Sequence, residues 1–302
     1  MSALRVLPQI ADALQRDAPV VALETSVLSQ GLPIPHNADA ALRMTAAVER
    51  CGAVAAFTAV AAGQPTIGLS RDELTRFLAR DGVRKVSARD IAACVVQGAD
   101  GATTVAASLS IAHAAGIRVF ATGGIGGVHR SAPFDESADL LALSRTPMIV
   151  VCAGAKSILD LPATVERLET LGVPVVGYCT DELPGFFTAS TGLRVSQRAD
   201  SATEIAQIAR AHWALGERSA VLVVQPPPSG AALERTSVDS AVESAVRAAA
   251  DAGVHGALLT PFLLGAVLAA TGGRSLPANL ALLESNAELA AHIAVAWCAL
   301  AR

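Results

Sequence analysis

Short runs of apolar, largely β-branched residues alternate along the chain with longer alanine-rich segments. The apolar runs are bounded by turn residues and predict buried strands at residues 19–24, 54–60, 118–121, 148–152, 173–179 and 220–224. The alanine-rich segments predict helices at residues 37–51, 71–80, 103–115, 157–171, 201–215 and 234–252. This alternation is typical of a layered α/β fold with its strands buried between helices. Because no linker or repeat interrupts the pattern, we predict a single domain over residues 1–302.

The composition describes a chain that buries a large apolar core. Of its 302 residues, 52% are hydrophobic and 17% are charged, and the mean hydropathy is +0.46. A net charge of -4 without a basic cluster provides no electrostatic footprint for a phosphate backbone, which argues against a nucleic-acid polymer as a partner. The uncharged stretch at 252–273 contains Pro261 and several glycines, so we expect a turn and a buried helix there rather than a membrane span.

The cysteines and the N-terminus indicate where the protein resides. The five cysteines are scattered and lack the local spacing of a zinc site or a redox pair, so we expect small buried residues in a reduced compartment. The N-terminal segment carries charges at Arg5, Asp12 and Arg16 and lacks the apolar core of a secretory signal. We therefore predict a cytoplasmic protein.

Lysine is scarce in this sequence. Of the 23 basic residues, only Lys85 and Lys156 are lysines. Lysine, unlike arginine, can lose its proton when it is desolvated or lies beside another cation, and it then attacks carbonyl carbon. Lys156 follows an apolar strand at a turn of small residues, where α/β sheets expose functional groups, so we predict a functional amine there rather than an ordinary surface lysine. Sequence context alone does not decide whether Lys85 is a functional amine or an ordinary surface lysine.

Two glycine-containing turns offer backbone groups to an anionic ligand. Residues 98–105 open a predicted helix with small residues and hydroxyls, whose N–H groups and dipole favour a phosphate, although the segment is neither a Walker loop nor a dinucleotide fingerprint. Residues 121–130 follow a strand and either allow a ligand close to the backbone or only connect strand to helix tightly. His129, inside this second turn, is the histidine that we predict to be functional.

Carboxylates complete the candidate chemistry. Glu24 ends the first predicted strand, where a carboxylate can act as a general acid, cap a helix or pair with a cation. Asp135, Glu136 and Asp139 follow the second glycine-containing turn. An aspartate with neighbouring hydroxyls suits a hard divalent ion that keeps several waters, such as Mg or Mn. The dispersed histidines and the absence of an HExxH motif argue against zinc.

Eight motifs occur in order along the chain: VALETSVLSQGLPIPHN, KVSARDIA, GATTVAAS, VFATGGIGGVHR, FDESADL, RTPMIVVCAGAKSILD, LETLGVPVVGY and ANLALLESNAELAAHIA. From Val20 to about Ala296, this series resembles the pseudouridine-5'-phosphate glycosidase family. The resemblance implies a three-layer α/β/α fold with a central mixed sheet and a homotrimer. It also implies reversible cleavage of the carbon-carbon bond between C1 of ribose 5-phosphate and C5 of uracil, with a divalent metal that is typically manganese and for which magnesium can substitute.

The resemblance assigns roles to individual residues. It implies that Lys156 is the Schiff-base nucleophile, that Glu24 is the proton donor and that Asp135 is the metal ligand. With His129, the residues expected to contact the ribose 5-phosphate substrate and its aglycone are Lys85, Val105, Ser137, Ala138, Asp139 and Asn279. Among these, Asn279 is expected near the nucleobase.

The chain also departs from the usual family motifs. It has ETS where EST is usual, Ser29-Gln30-Gly31 where SHG is usual, QPPP at 225–228 and Glu284-Ser285-Asn286 near the C-terminus. These changes favour a C-glycosynthase that attaches ribose 5-phosphate to a non-uracil aromatic aglycone in secondary metabolism. The alternative is an ordinary pseudouridine-5'-phosphate glycosidase. A non-catalytic sugar-phosphate-binding protein is a third hypothesis, and the retained Lys156 argues against it because a binding protein needs no nucleophilic amine.

Overall fold

The computed structural model describes residues 4–130, 135–254 and 259–300. Within these ranges, 11 strands form a sheet in the order β1-β4-β3-β2-β7-β8-β11-β9-β10, with β6 paired to β3 and β5 paired to β6. The strands are Arg5–Val6 (β1), Val20–Leu23 (β2), Val54–Ala61 (β3), Gln64–Ile67 (β4), Arg84–Val86 (β5), Gly101–Thr103 (β6), Val119–Ala121 (β7), Ile149–Cys152 (β8), Val175–Tyr178 (β9), Gln197–Ala199 (β10) and Val221–Val224 (β11).

Helices flank this sheet. They are Pro8–Gln15 (α1), His36–Arg50 (α2), Arg71–Ala79 (α3), Ile91–Val96 (α4), Val105–Ala114 (α5), Ala138–Leu143 (α6), Leu161–Thr170 (α7), Ala202–Ala214 (α8), Arg235–Asp251 (α9), Leu259–Ala270 (α10) and Ser275–Ala299 (α11). A π-helical turn at Val27–Gly31 and a 3-10 turn at Ala88–Asp90 complete the helical elements of the described residues. The predicted α/β/α class with a mixed sheet is confirmed.

The six predicted strands correspond to β2, β3, β7, β8, β9 and β11. Every residue of β2, β8 and β11 is buried, which explains their uninterrupted apolar sequences. The strands that the pattern did not predict are short or polar, as in the RKV of β5 and the QRA of β10. Such segments carry too few apolar residues for a strand period to be recognised.

The long helix α11 is the central packing element of one helical layer. It packs on β2, β7 and β8, while α2 and α8 pack against it. More than half of its residues are buried, including Leu282, Leu283 and Ile293. A helix that is apolar around most of its circumference is a core helix, which explains why the amphipathic pattern did not delimit it.

The mixed character of the sheet arises in β3. Its first half pairs in parallel with β2, whereas its second half pairs antiparallel with β4 and β6. On the other side of β2, strands β7 and β8 are parallel to it, so the carboxyl ends of all three strands share one edge. The chain leaves β2 toward β3 on one side and returns through β7 on the other. This arrangement is a topological switch point, where ligands bind in open α/β sheets.

The described residues bear on the membrane span and on the burial of the cysteines. No single helix among the described residues is long and apolar enough to cross a membrane. Helices α10 and α11 reach the length and apolar composition of a membrane span only when they are taken together, and the pair is bent by 118°. The expectation that the cysteines are all buried is wrong. Cys94 and Cys152 are buried, but Cys51 and Cys298 are partly accessible and Cys179 is exposed, because the latter three lie at helix ends or in a turn after a strand.

Candidate active site

A cavity of about 380 Å³ lies at the carboxyl edge of β2, β7 and β8. Its lining contains every residue that the sequence predicted for the site: Glu24, Lys85, Val105, His129, Asp135, Ser137, Ala138, Asp139, Lys156 and Asn279. These residues come from seven separate segments of the chain. The structure therefore brings the predicted residues together in one place, at the switch point of the sheet.

Glu24 is held by hydroxyl groups at the end of β2. Its side chain is buried, and its two carboxylate oxygens accept hydrogen bonds from the hydroxyls of Ser26 and Thr122. Thr122 immediately follows β7, and Leu23 pairs with Ala121 in the sheet, so the two strand ends bring these groups together. Ser26 and Thr122 were not predicted as site residues. The pairing of β2 with β7, which the sequence pattern does not reveal, is the signal that would have indicated Thr122.

The backbone around Lys156 is fixed by the glycine-rich turn that follows β7. Lys156 donates its backbone N–H to the carbonyl of Ile125 at 3.1 Å, and Ala155 forms a parallel bridge with Ile125. Gly154 has a φ of +90°, and a Cβ atom there would collide with the carbonyl oxygen of Pro184. This local geometry aims the half-buried Lys156 side chain into the cavity.

Lys85 enters the cavity from β5. The residue as a whole is exposed, but its side chain lines the cavity, where surrounding atoms partly desolvate the ammonium. This burial and, second, the repulsion of Lys156 lower the pKa of Lys85, while Asp139 and Glu24 oppose the shift. The two lysines of the chain therefore act on each other electrostatically in one cavity.

The lowered pKa of Lys85 predicts a pH effect on substrate capture. The ammonium attracts a phosphate only below its pKa in the folded protein, so kcat/KM for a phosphorylated substrate should fall with rising pH before the ordinary lysine value of 10.5 is reached. In Lys85→Arg, whose guanidinium stays charged, this alkaline fall should disappear. Kinetic pH profiles of the two proteins test the expectation. An identical alkaline fall in both would assign it to another group.

Asp139 connects two parts of the cavity wall. One carboxylate oxygen accepts the backbone N–H of Ala106 in the first turn of α5, and the other accepts that of Gly126 in the glycine-rich turn, both at 2.9 Å. Ser137 caps α6 and accepts the backbone N–H of Asp139 at 3.2 Å. A Cβ atom at Gly126 would collide with the Ser137 hydroxyl, so only glycine fits there. Asp139, predicted to contact substrate, thus also positions the elements that surround it.

We predict that Asp139→Asn lowers the free energy of unfolding by roughly 2 to 4 kcal/mol, because one buried N–H loses its carboxylate acceptor and faces an amide N–H₂ instead. Asp181→Asn is a suitable control, since Asp181 pairs with Arg198 at the exposed surface, where such pairs contribute about 0 to 1 kcal/mol. Urea unfolding of the two variants measures the difference. Equal stability losses would contradict the structural role of Asp139.

The segment that begins at Asp135 offers oxygen ligands to a metal. Asp135 is exposed toward solvent and lines the cavity, whereas the carboxylate of the adjacent Glu136 accepts a hydrogen bond from Arg167 at 2.9 Å. The Ser137 hydroxyl lies in the same part of the lining. One carboxylate with a nearby hydroxyl is a hard donor set that suits Mn or Mg with several waters. The residues present therefore fit a divalent ion of this kind.

The first residues of α5 and the N-terminal part of α11 also line the cavity. Val105 is buried as the first residue of α5, so its backbone, rather than its side chain, is the part able to bind an anion. Thr104, the N-cap, lies in the turn at 98–105 that the sequence predicted for an anion, although the residue itself was not singled out. Its hydroxyl is buried without a hydrogen-bond partner among the described residues, and the residue lines the cavity. Asn279 of α11 lines this cavity and also an adjoining one of about 300 Å³.

The residues that depart from the family motifs are mostly outside the cavity lining. Glu284 lies on the outer side of α11, where it pairs with Arg50 at 3.2 Å. Gln225 donates its side-chain N–H to Asn286 at 2.9 Å, and it is not part of the lining. Gln30 and Ser26, the latter from the altered ETS motif, do line the cavity. The departures from the family motifs therefore divide into residues of the lining and residues, such as Glu284 and Gln225, whose side chains have partners outside it.

A layered α/β protein whose two lysines and several carboxylates share a cavity at the switch point of its sheet has the architecture of an enzyme. Residues 9–296 match the family described as indigoidine synthase A like protein. The pseudouridine-5'-phosphate glycosidase of Gemmatimonas aurantiaca is 62% identical over 292 residues, which are 97% of this chain and 95% of that protein. That of Herpetosiphon aurantiacus is 50% identical over 98% of both chains. The chain belongs to this family of pseudouridine-5'-phosphate glycosidases and indigoidine synthase A like proteins, as its motifs predicted.

Solved structures agree with the fold. The prealnumycin C-glycosynthase AlnA, whose crystal structure contains ribulose 5-phosphate, superposes with a TM-score of 0.92 at 39% identity and covers 100% of this chain and 99% of its own. An indigoidine synthase A-like protein from Thermotoga maritima superposes with a TM-score of 0.90 at 34% identity, covering 100% and 97%. Both proteins therefore share the architecture described above over their whole length.

Proposed function

We propose that this protein is a pseudouridine-5'-phosphate glycosidase, which converts pseudouridine 5'-phosphate and water into uracil and ribose 5-phosphate. The observation that carries the chemistry is the convergence of Lys156, Lys85 and the buried Glu24 in one cavity. The identity of 62% with a relative of that name supports uracil as the aglycone. The comparisons favour this alternative over the C-glycosynthase that the sequence departures suggested.

The bond to be cut explains why a lysine is needed. A carbon-carbon glycosidic bond has no leaving oxygen to protonate, so the two-carboxylate scheme of ordinary glycosidases does not suffice. In the proposed reaction, the ribose ring opens and the amine of Lys156 bonds to C1. Breaking the bond from C1 to the uracil C5 then leaves C1 as an iminium, which water hydrolyses to release ribose 5-phosphate and the free amine.

The other groups of the cavity support these steps. Glu24, oriented by two hydroxyls, transfers the proton that the uracil C5 needs as the bond breaks. Lys85 shares the cavity with Lys156, and burial and then the repulsion of Lys156 lower the pKa of Lys85. The start of α5 with its unpartnered Thr104 hydroxyl suits the phosphate, because helix N-termini bind anions.

A divalent ion at Asp135 belongs to the same proposal. When bound, an ion such as Mn supplies positive charge that orients the polar groups of the substrate. We expect Asp135→Ala to lose about 10- to 100-fold in activity at saturating Mn, since a hard ion held by few protein groups depends on each of them. Activity assays with chelator and with added Mn measure the effect, with Asp181→Asn as control. Full activity of Asp135→Ala in chelator would remove Asp135 from the metal site.

The C-glycosynthase is the second candidate, and Gln30 is the observation in its favour. This residue stands where the family usually has histidine, and it lines the cavity. The structural similarity to AlnA is compatible with either reaction direction. A non-catalytic role is the weakest hypothesis, because the close relatives carry the names of enzymes and the nucleophilic lysine is present.

One assay separates the two enzymatic candidates. Pseudouridine 5'-phosphate is incubated with the protein and Mn, and released uracil is quantified by chromatography; in parallel, ribose 5-phosphate is offered with uracil and with a panel of electron-rich aromatic rings. We expect release of uracil, and in the reverse direction formation of pseudouridine 5'-phosphate alone. Coupling to aromatic rings without cleavage of pseudouridine 5'-phosphate would establish the C-glycosynthase instead.

The assembly is a prediction from the family resemblance, and the location is a prediction from the cysteines and the N-terminal segment. We propose a homotrimer in the cytoplasm, and light scattering coupled to size-exclusion chromatography measures the first of these properties. A mass near three times the 30.6 kDa of one chain is the expected result.

A further inference from the structure

Three side chains able to bind a metal meet where α2 ends against α11. Cys51 is the C-cap of α2, and Glu288 and His292 lie four residues apart on α11, which places them on the same helix face. One ligand atom from each of these residues lies within 4.8 Å of the other two. None of the three lines the cavity described above. This cluster, Cys51–Glu288–His292, is therefore separate from the proposed active site.

The distance between two of the three ligand atoms, which are within hydrogen-bond range of each other, also suits a shared tetrahedral ion. The Cys51 Sγ atom lies 3.6 Å from the His292 Nε2 atom. Zinc bonds of about 2.3 Å to sulfur and about 2.05 Å to nitrogen, set at the tetrahedral angle, separate these two ligand atoms by about 3.6 Å. The two side chains therefore already stand at the spacing that a shared ion requires, before any backbone movement.

The Cys51–Glu288–His292 cluster is accessible to an ion from solvent, and Glu288 offers it a carboxylate. Glu288 and His292 are exposed and Cys51 is half-buried, so an ion reaches the site from solvent. Glu284, one helical turn before Glu288, forms an ion pair with Arg50 at 3.2 Å. Helix α11 therefore uses the carboxylate of Glu284 to pair with arginine and contributes the carboxylate of Glu288 to the cluster.

We propose that Cys51, Glu288 and His292 form a binding site for Zn²⁺ or a chemically similar borderline transition-metal ion, with water as the fourth ligand. On binding, the thiol of Cys51 releases its proton to solvent and coordinates as thiolate. The oxidation state of the ion does not change. The thiolate and imidazole select a softer ion than the oxygen donors proposed at Asp135. The bound ion joins α2 to α11 and stabilises their contact, because it binds the folded chain preferentially.

The spacing of the cysteines and histidines argued against zinc, and this site escaped that argument for a physical reason. Zinc motifs are recognised by ligands at short, regular spacing, whereas these ligands come from opposite ends of the chain and are assembled only by the packing of α2 on α11. A glutamate and a histidine four residues apart on a helix, such as Glu288 and His292, are common in proteins that bind no metal. Only the third ligand from the neighbouring helix distinguishes the cluster.

Titration of the full-length protein with Co²⁺ tests the proposal, because a thiolate bound to Co²⁺ gives a charge-transfer absorption that the oxygen site at Asp135 does not produce. We expect this band to saturate near one equivalent and to be removed by Zn²⁺. Cys51→Ser should abolish it, and His292→Ala and Glu288→Ala should each weaken Co²⁺ binding by at least about tenfold.

Two controls make the result specific. Cys179→Ser removes an exposed cysteine elsewhere, and Asp135→Asn alters the proposed oxygen site; both should retain the band. Thermal unfolding without metal verifies that each variant is folded. The proposal is overturned if wild-type protein shows no thiolate band, if the band survives Cys51→Ser, or if it is unchanged in both His292→Ala and Glu288→Ala.

Discussion

Lys156→Arg is expected to abolish cleavage of pseudouridine 5'-phosphate, with kcat reduced by at least about 10⁴-fold. The substitution retains a positive charge and a long side chain in the same half-buried position. The guanidinium of arginine, however, does not lose its proton in a protein and forms no imine. The expected loss therefore reports on covalent chemistry and not on the charge of the cavity. Rates at saturating substrate provide the measurement.

A trapping experiment identifies the amine directly. Borohydride reduction in the presence of ribose 5-phosphate should add a reduced pentose phosphate to the peptide that contains Lys156. Lys85→Arg is the matched control, since it alters the other lysine of the chain and should leave the adduct in place. An adduct on Lys85, or substantial turnover by Lys156→Arg without any adduct, would transfer the nucleophilic role to another group.

The parts of the fold that the sequence predicted share a physical basis. The runs that became β2, β8 and β11 are apolar throughout because every residue of these strands is buried, on both faces of the sheet. In contrast, β5 and β10 contain two exposed residues each and have no apolar signature. Their place in the sheet depends on partners distant along the chain, which local pattern does not encode.

The candidate site likewise contains residues that the sequence indicated and residues that it did not. Lys156 and Glu24 were predictable because each follows an apolar strand, and parallel strands end at a common edge. Thr122 and Thr104 lie in the two turns predicted at 121–130 and 98–105 but were not singled out. A threonine next to a strand or helix end is common, and it becomes informative only when its hydroxyl partner, or the lack of one, is visible. The rare lysines were informative on composition alone.

The expectation of a non-uracil aglycone rested on altered motif residues, whose positions relative to the cavity only the structure shows. The structure separates the residues that depart from the family motifs by their environment. Gln30 lines the cavity, whereas Glu284 pairs with arginine on the outer side of α11 and Gln225 is hydrogen-bonded to Asn286. A change that lies outside the lining alters substrate selection only through the positions of other residues. The altered motifs therefore weigh less against uracil than their number suggests.

Glu24→Gln is expected to reduce turnover by about 100- to 10,000-fold, the usual contribution of a positioned proton donor. The amide is isosteric with the carboxylic acid and accepts a hydrogen bond through its oxygen, so the cavity should keep its shape. The amide does not exchange a proton with the uracil C5 as the carbon-carbon bond breaks. Affinity for ribose 5-phosphate should therefore stay within about tenfold of wild type while kcat falls, which calorimetry and steady-state kinetics measure separately.

Glu136→Gln is the matched control for Glu24→Gln. Glu136 is also a carboxylate in the cavity lining, but it accepts a hydrogen bond from Arg167 and has no proposed part in proton transfer. We expect its replacement to change kcat by less than about tenfold, because a partly exposed ion pair contributes little. Thr122→Val, which removes one hydroxyl from Glu24, should fall between the two variants. Normal turnover by Glu24→Gln would require a different acid in the cavity, and equal losses in Glu24→Gln and Glu136→Gln would indicate a general effect of cavity charge.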